Sequence, residues 1–591
     1  MFVVATAGHV DHGKSTLAKA LTGMEPDRWA AERERGLTID LGFVWTTLPS
    51  GRQVGFVDVP GHERFLGNML AGLGPAPVVL FVVAADEGWM AQSSDHRDAL
   101  SALGISAGLI VVTRTDRATP DRVADVIEQA RTELADTGLA QAPAVTVSAV
   151  TGDGLDRLRA ALDEVLGDLP APVTDGRVRL WVDRSFTIAG AGTVVTGTLA
   201  AGSLRLDQPL EVAGRHGRRS TVVRGLQSHG RDEQRALPVS RVAVNLRGLG
   251  ADEVHRGDTL LTPGAWPQTS VIDVHSAAAD VPEWLTVHVG TAAIPARARP
   301  LDADHLRLTL AWEVPLQHDD ALVLRDPGAG RIVGGATVLD VDPPPPHRRG
   351  DAARRGDALA ARDADGRVLD EVTRRGAVLV EQLAAAGLPV DAPPPGVSAV
   401  GHWWVAMQQL HDWQVRLRGA VLAAHERDPL APGLSFGAAR DAIALPDAGL
   451  LSAVVSGAGV QSDGGWLFLP ELRHDLGPAE AGIAELERRL AATPFAAPEA
   501  DDLADLRLGA RELAAGERAG RLVRLADGLV VAPKSPALAM RELARLPQPF
   551  TTSQARQALG TSRRVAIPLL EYLDARGWTR RVDGSHREVV R

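Results

Sequence analysis

Gly8-His9-Val10-Asp11-His12-Gly13-Lys14-Ser15 follows directly on the apolar run Phe2-Val3-Val4-Ala5. The order G-x-x-x-x-G-K-S, leaving a predicted strand and entering a predicted helix over Leu17 to Leu21, is that of a loop whose backbone N–H groups wrap a phosphate chain. Lys14 reaches the terminal phosphates, Ser15 offers its hydroxyl to Mg²⁺, and the expected GTP-binding set runs from Gly8 through Thr16. The sequence holds three lysines (Lys14, Lys19 and Lys534) among 63 basic residues. Keeping one here selects a compact point charge over a planar guanidinium.

The partners of such a loop follow in order. Val54-Gly55-Phe56-Val57 runs into Asp58-Val59-Pro60-Gly61-His62. An aspartate at a strand end holds Mg²⁺, usually through water, and the Gly61 N–H meets a γ-phosphate. Between them Glu34-Arg35-Gly36-Leu37-Thr38-Ile39-Asp40 is polar and flexible at Gly36. Thr38 is placed to complete the Mg²⁺ shell when triphosphate orders that loop. Val78 to Val83 and Gly108 to Val112 read as buried parallel strands, too short to span a membrane. The second ends in Thr113-Arg114-Thr115-Asp116, and Val145-Thr146-Val147 ends in Ser148-Ala149. Asp116 would accept from the N1–H and exocyclic amine of guanine, which adenine cannot supply, and Ser148-Ala149 would give a backbone N–H to the guanine oxygen. The nucleotide is therefore read as GTP or GDP. Thr113 stands where Asn is usual, a deficit of about 1 kcal/mol in hydrogen bonding, so weaker or faster-exchanging nucleotide is expected. Arg114 replaces the lysine stem that stacks on the base.

Gly-His-Val-Asp-His-Gly-Lys-Ser, Arg-Gly-Leu-Thr-Ile and Asp-Val-Pro-Gly-His together resemble the translational GTPases of the elongation-factor-Tu superfamily. The resemblance implies an α/β nucleotide domain followed by two β-barrels. It also implies that His62 orients the attacking water and that Val10 and Leu37 gate it.

At 591 residues the chain has room for several domains of about 100–150 residues each. With no cysteine, disulfides, thiol catalysis and Cys-ligated zinc or iron–sulfur sites are excluded, and a reducing, cytoplasmic setting is expected. The first apolar stretch runs into the phosphate loop and does not read as a signal peptide. The net formal charge is −11, yet Ala537 to Arg591 carries ten arginines against five acidic residues. A nucleic-acid footprint on one terminal module of an otherwise acidic chain fits that imbalance.

The fold class expected is multidomain: an α/β P-loop GTPase domain, two β-barrels and C-terminal α/β winged-helix repeats. Strand and helix signals alternate over 1–172. From Val178 the period shifts toward two, giving one barrel over 173–264 and a second over 265–342. A proline-rich linker spans 343–352. Helices are then expected over Asp370 to Ala386, Trp403 to His425, Ala479 to Ala492 and Asp502 to Ala515, interspersed with hairpins. Winged helices are assigned to 353–420, 421–475, 476–535 and 536–591. The last is the clearest: Thr551-Thr552-Ser553 caps a helix through Leu559, Arg563 to Arg576 is a second helix, and Trp578 to Val590 is a hairpin turning at Asp583-Gly584. Arg563 and Arg564 in the first helical turn oppose the helix dipole, a small cost that points to an anionic ligand. Arg556, Arg580 and Arg581 are the accompanying RNA-binding candidates.

A GTPase of this superfamily with such an end resembles the bacterial selenocysteine-specific elongation factors, the SelB type. The run Leu559-Gly560-Thr561-Ser562-Arg563-Arg564 with Ala566 to Tyr572, Gly88-Trp89-Met90 followed by Gln92, and Gly290-Thr291-Ala292 carry the likeness. What it implies is GTP-dependent delivery of selenocysteyl-tRNA to the ribosome at recoded UGA codons, guided by a selenoprotein mRNA stem-loop, by a cytosolic monomer. Where the general elongation factor presents two acidic residues to the aminoacyl group, this sequence reads Asp183-Arg184. A selenol is ionised near neutral pH, so a cation there favours selenocysteine over serine. Arg247 is a second candidate cation. The alternatives are a general aminoacyl- or initiator-tRNA delivery GTPase, and a nucleotide-switched DNA-binding regulator.

Overall fold

Six strands build the nucleotide domain of the computed structural model: β1 (Phe2–Ala7), β2 (Gly42–Thr47), β3 (Gln53–Asp58), β4 (Val78–Ala84), β5 (Ala107–Thr113) and β6 (Ala144–Thr146), in the order β2-β3-β1-β4-β5-β6. The structure describes residues 2–26, 38, 40–62, 65–74, 76–346, 348, 350–361, 366–473 and 475–590. All pairings are parallel except β2–β3. β4 is buried at every residue, as a continuous apolar run with helices on both faces requires. Helices α1 (Lys14–Thr22), α2 (Leu66–Leu73), α3 (Ala91–Ala102), α4 (Pro120–Glu133) and α5 (Leu155–Gly167) cover the sheet. Because β1, β3, β4, β5 and β6 run the same way, their C-terminal ends deliver the phosphate loop, Asp58, Thr113 and Ser148 to one edge.

The chain divides into two compact units, residues 1–367 with 381–390, and residues 368–380 with 391–591. The first holds the nucleotide domain and two barrels. In the first barrel β7 (Arg179–Ile188), β8 (Gly192–Leu199), β9 (Pro209–Gly214), β10 (Gly217–Ser228), β11 (Ser240–Arg247) and β12 (Thr259–Leu261) follow the order β9-β12-β7-β8-β11-β10, and β9–β10 pairing closes the ring. The second barrel is closed by β13 (Gln268–His275), β14 (Trp284–Val289), β15 (Ala292–Pro300), β16 (His305–Pro315), β17 (Ala321–Arg325) and β18 (Ile332–Asp340).

The helix after the prolines, α6 (Asp351–Ala360), changes the expected boundary. It starts inside the predicted linker, and residues up to 367 belong with the barrels, not with a first winged helix beginning at 353. The reason is an ion network. Fully buried Asp273 accepts from Arg307 at 2.7 and 2.9 Å and from Arg355 of α6 at 2.7 Å, while Arg355 also binds Asp340.

The second unit alternates helices with small sheets. Three of its sheets pair their first, third and second strands: 377–379, 403–406 and 397–400; 434–435, 466–468 and 461–463; 550–551, 586–589 and 579–581. A two-stranded sheet, 523–526 with 529–531, accompanies helices 480–492, 500–505 and 510–518. Several expected helices are corrected. The stretch 370–386 breaks at Gly376, whose φ of 77° ends the helix Gly366–Arg375 before a strand and a second helix, Val380–Ala385, which from residue 381 belongs to the first unit. Trp403–Ala406 is strand, and the helix runs Met407–Arg427. The stretch 502–515 is two helices, 500–505 and 510–518. The 407–427 helix also crosses the boundary expected at 420/421: its Trp413 and Leu417 share a core with Ile443, Leu450 and Val454.

The last module forms as read. Thr551 Oγ1 accepts from Gln554 N while Gln554 Oε1 accepts from Thr551 N, a capping box. Helix 563–575 buries Val565, Ala566, Leu569, Leu570 and Leu573. Asp583 Oδ1 accepts from the N–H groups of Ser585 and His586 and so makes the hairpin turn.

Asp273→Ala leaves buried Arg307 and the largely buried Arg355 without their shared carboxylate. The expected cost is about 3–5 kcal/mol, read as lost amide-exchange protection along 268–275 and 305–315.

Candidate functional site

The phosphate loop leaves β1 at Gly8 with φ +125°, where a Cβ would lie 2.1 Å from the Val82 carbonyl oxygen, so no side chain fits. Gly13, at φ 84°, caps α1. Lys14 Nζ donates to the Gly8 and His9 carbonyls at 3.0 and 2.7 Å. Burial lowers its pKa to about 8. The neighbouring histidines are held uncharged in the same way: burial lowers His9 and His96, and takes His12 down to about 4.

Three oxygens converge beside Lys14. Ser15 Oγ donates to Asp58 Oδ2 at 2.6 Å and lies 3.0 Å from Thr38 Oγ1. Thr6 Oγ1 holds the other Asp58 oxygen at 2.8 Å. Burial pushes the Asp58 carboxyl up against the pull of these hydroxyls and of Lys14. Two hydroxyls and a carboxylate oxygen are the hard donor set that Mg²⁺ takes alongside phosphate oxygens and water, so Ser15, Thr38 and Asp58 fit that ion. Thr16 is exposed in the turn beyond. Gly61 is pressed onto the loop: a Cβ would come within 2.6 Å of Lys14 Nζ and of Val10 N. His62 follows, half-buried, edge-on to Phe65 at 6.1 Å. Leu37, the expected second gate residue, lies outside the described residues. Val10 is described, and its N–H is taken by Gln92 Oε1 at 3.3 Å.

At the base end Thr113 Oγ1 donates to the His12 carbonyl at 2.7 Å, so its one hydroxyl proton ties β5 to the phosphate loop. Arg114, at φ 55°, reaches Glu87 at 2.7 Å and Asp86 at 3.3 Å and also donates to the Asp11 carbonyl. The Ser148 hydroxyl donates to Asp116 at 2.6 Å and holds that carboxyl below its ordinary range. The Ser148 N–H is used by the Asp153 carbonyl, which leaves Ala149 as the residue to offer a backbone N–H to a base oxygen.

A second cluster lies where the first barrel meets the nucleotide domain. β7 bulges at Asp183, so Val182 and Arg184 pair with consecutive residues of β8 and Asp183 is the extra residue. A bulge re-aims side chains that would otherwise alternate. Asp183 is buried and binds Arg241 of β11 and Thr196, the latter at 2.6 Å. Arg184 turns to Asp40 at 2.8 Å and to the Leu41 carbonyl. The Arg241 guanidinium lies 3.2 Å from the Phe43 ring centroid. Arg256 adds a third cation, 2.7 Å from Asn68 Oδ1 and 3.9 Å from Asp40. Arg247 is not brought to this cluster. It stands six residues beyond Arg241 on the same strand, about 20 Å along it, and pairs with Asp207 at the surface. The cation at Asp183 is therefore Arg241, which the sequence reading missed; only the register of β11 beside β8 places it there, and no local motif signals it.

At the C-terminal end Arg563 and Arg564 are exposed in the first turn of helix 563–575. Arg580 and Arg581 leave opposite faces of strand 579–581. Arg580 pairs with Glu588, whereas no carboxylate among the described residues pairs with Arg563, Arg564 or Arg581. Arg556 is half-buried on helix 552–558.

A P-loop, an oxygen set that fits Mg²⁺ and two barrels behind them define a translational GTPase. Family models agree along the chain: the elongation factor Tu GTP binding domain matches residues 1–168, elongation factor Tu domain 2 residues 192–261, the β-barrel domain of selenocysteine-specific elongation factor residues 269–345, and the winged helix of elongation factor SelB residues 541–587. The selenocysteine-specific elongation factor of Escherichia coli K12 is 33% identical over 99% of this chain and 98% of its own length. That of Desulfomicrobium baculatum is 46% identical over 46% of this chain and 43% of its own. The chain belongs to the family of selenocysteine-specific elongation factors. The crystal structure of a bacterial selenocysteine-specific elongation factor, EF-Sec, superposes with a TM-score of 0.76 at 25% identity and covers 100% of both chains. The elongation factor SelB of Methanococcus maripaludis with the GTP analogue GPPNHP matches 58% of this chain and 79% of its own, with a TM-score of 0.52 at 25% identity. Among the described residues no helix is long and apolar enough to cross a membrane.

The lowered Lys14 pKa gives a pH dependence. Phosphates favour protonated Lys14, so GTP affinity is expected to be level from about pH 6.5 to 7.5. Above the free-state value of about 8 it should weaken toward tenfold per pH unit. Equilibrium titration of nucleotide from pH 6.5 to 9 checks this.

Proposed function

We propose that in its GTP state the chain carries selenocysteyl-tRNA to the ribosome at recoded UGA codons, guided by an mRNA stem-loop bound at the last winged helix. The observation that carries the reading is the Asp183–Arg184–Arg241 cluster. Three guanidiniums, those of Arg184, Arg241 and Arg256, gather with two carboxylates, those of Asp40 and Asp183, beside the Phe43 ring. A net positive cluster of this kind favours a selenolate over the neutral hydroxyl of serine.

The same cluster touches the nucleotide site. Arg184 holds Asp40, two residues from Thr38, and Thr38 meets Ser15 and so the Asp58 set. Loss of the γ-phosphate removes the reason for Thr38 to stay, and Asp40 leaves Arg184 with it. Affinity for the cargo then falls. Ser15, Thr38 and Asp58 would hold Mg²⁺, which would supply charge neutralisation at the phosphates. Lys14 adds a positive charge at the terminal phosphates. His62, on the turn that Gly61 presses against the loop, orients the attacking water, with Val10 and Leu37 as its gate and the ribosome as the activator. Asp116, Ser148 and Ala149 select guanine, and the committed Thr113 hydroxyl supports weak or rapidly exchanging nucleotide. Arg556, Arg563, Arg564, Arg580 and Arg581 supply the anion-binding face for the stem-loop. Four winged helices, a monomeric state and a cytosolic setting complete the reading.

Recovery of bound tRNA from full-length chain loaded with GTP or GDP tests it. Selenocysteyl-tRNA retained with GTP and released with GDP is the expected result; equal retention of seryl-tRNA overturns it. Arg184→Ala or Arg241→Ala should each cost about tenfold or more in preference over seryl-tRNA, the worth of one charge-assisted hydrogen bond. His62→Ala should bind GTP normally while ribosome-stimulated hydrolysis falls by about a hundredfold or more, as loss of a group that orients and polarises water predicts.

A further inference from the structure

Gln92 and His96 stand one turn apart on α3, so their side chains leave the same face of the helix. Gln92 Oε1 accepts from the Val10 N–H at 3.3 Å, and His96 Nδ1 accepts from the Gly8 N–H at 3.1 Å. An accepting Nδ1 puts the ring proton on Nε2. Burial keeps the ring uncharged, and the Gly61 backbone also hydrogen-bonds to it. Gly61 itself leans on Val10 N and Lys14 Nζ. The helix thus grips the phosphate loop at two peptide groups and the Gly61 turn at a third point.

The other end of α3 is fixed by packing. A Cβ on Gly335 of β18 would come within 2.6 Å of the Ala102 carbonyl oxygen, and Val323 of β17 joins the core of the nucleotide domain. A 12-residue helix, about 18 Å long, therefore runs from the second barrel to the phosphate loop. Neither Gln92 nor His96 belongs to the phosphate, metal or base contacts described above. Their hydrogen bonds go to the backbone of the residues that do.

We infer that Gln92 is a positioning residue for GTP hydrolysis. By binding the Val10 N–H, with His96 holding Gly8 and Gly61, it fixes the gap between the phosphate loop and the turn that carries His62. This keeps His62 back from the water until the loop moves. The inference rests on the reading of His62 and Val10 under the proposed function. Replacing Gln92 by Leu preserves the apolar stem but leaves the Val10 N–H without its acceptor. The gate then loosens, and unstimulated hydrolysis rises.

Single-turnover GTP hydrolysis by the full chain without ribosomes, measured beside GDP affinity, tests this. Gln92→Leu should speed hydrolysis about fivefold or more, the rate equivalent of one net hydrogen bond, while GDP affinity changes less than about threefold. A defect confined to folding would lower both. An unchanged or slower rate in Gln92→Leu overturns the inference. Adding His62→Ala to Gln92→Leu should abolish the rise. A rise that survives it overturns the reading of His62, and the gating route with it, even though Gln92→Leu alone has responded, so the two failures are told apart.

Discussion

A carboxylate that water cannot reach organises the nucleotide domain. Asp58 ends β3 at 0% exposure, and a buried charge is tolerated only when its oxygens are occupied. Thr6 of β1, Ser15 of α1 and Thr38 of the intervening loop meet it. Satisfying one side chain therefore fixes a strand, a helix and a loop relative to each other. Lys14 lies within the same field and owes its depressed pKa first to burial, with Asp58 pulling the other way. Around this pair the histidines are held neutral, so the positive charge at the phosphate site is concentrated on one ammonium. At a site so arranged, phosphate oxygens would meet one lysine and the proposed Mg²⁺ one aspartate.

What could be read from the sequence was local. The phosphate loop, Asp58 at a strand end, Asp116 with Ser148, and the capped helix, turn and hairpin at the C-terminus each lie within a short window. In each the backbone and its turn residues fix where the side chains go. The parallel sheet then collects the separate pieces at one edge, which strand order alone predicts. The misses share a different cause. Arg241 meets Asp183 across 58 positions through barrel register and a bulge, neither of which leaves a local pattern. Arg247 has the same residue type on the same strand and lies at the wrong height. Trp413 and Leu417 carry ordinary helical spacing, yet their core partners lie beyond Phe436, and a domain boundary drawn through a long helix cannot register that. Gly376 broke a helix that looked continuous because its neighbours favour helix on either side.

The barrels show how a surface arginine and a structural one differ. Arg307 and Arg355 are consumed by Asp273 and Asp340, and with them α6 becomes part of the barrel unit. Arg184 and Arg241, at the junction with the nucleotide domain, are also paired, with Asp40 and Asp183, but are more accessible and face an aromatic ring. A chain rich in arginine for compositional reasons can still separate these uses, because the cost of desolvation ties the more deeply buried guanidinium more strictly to its carboxylates.

The contact between Arg184 and Asp40 has a thermodynamic corollary. One end of that ion pair lies in the barrel and the other in the loop that carries Thr38, so under the proposed function it belongs to two binding equilibria at once. Free-energy coupling is symmetric: whatever factor the nucleotide state imposes on a ligand at the barrel, that ligand imposes in equal measure on the nucleotide. A cargo held more tightly with GTP must itself make GTP harder to lose. Under the proposed function, with one hydrogen-bonding group given up at Thr113, loaded cargo would do part of the work of retaining the triphosphate, and an empty barrel would favour exchange.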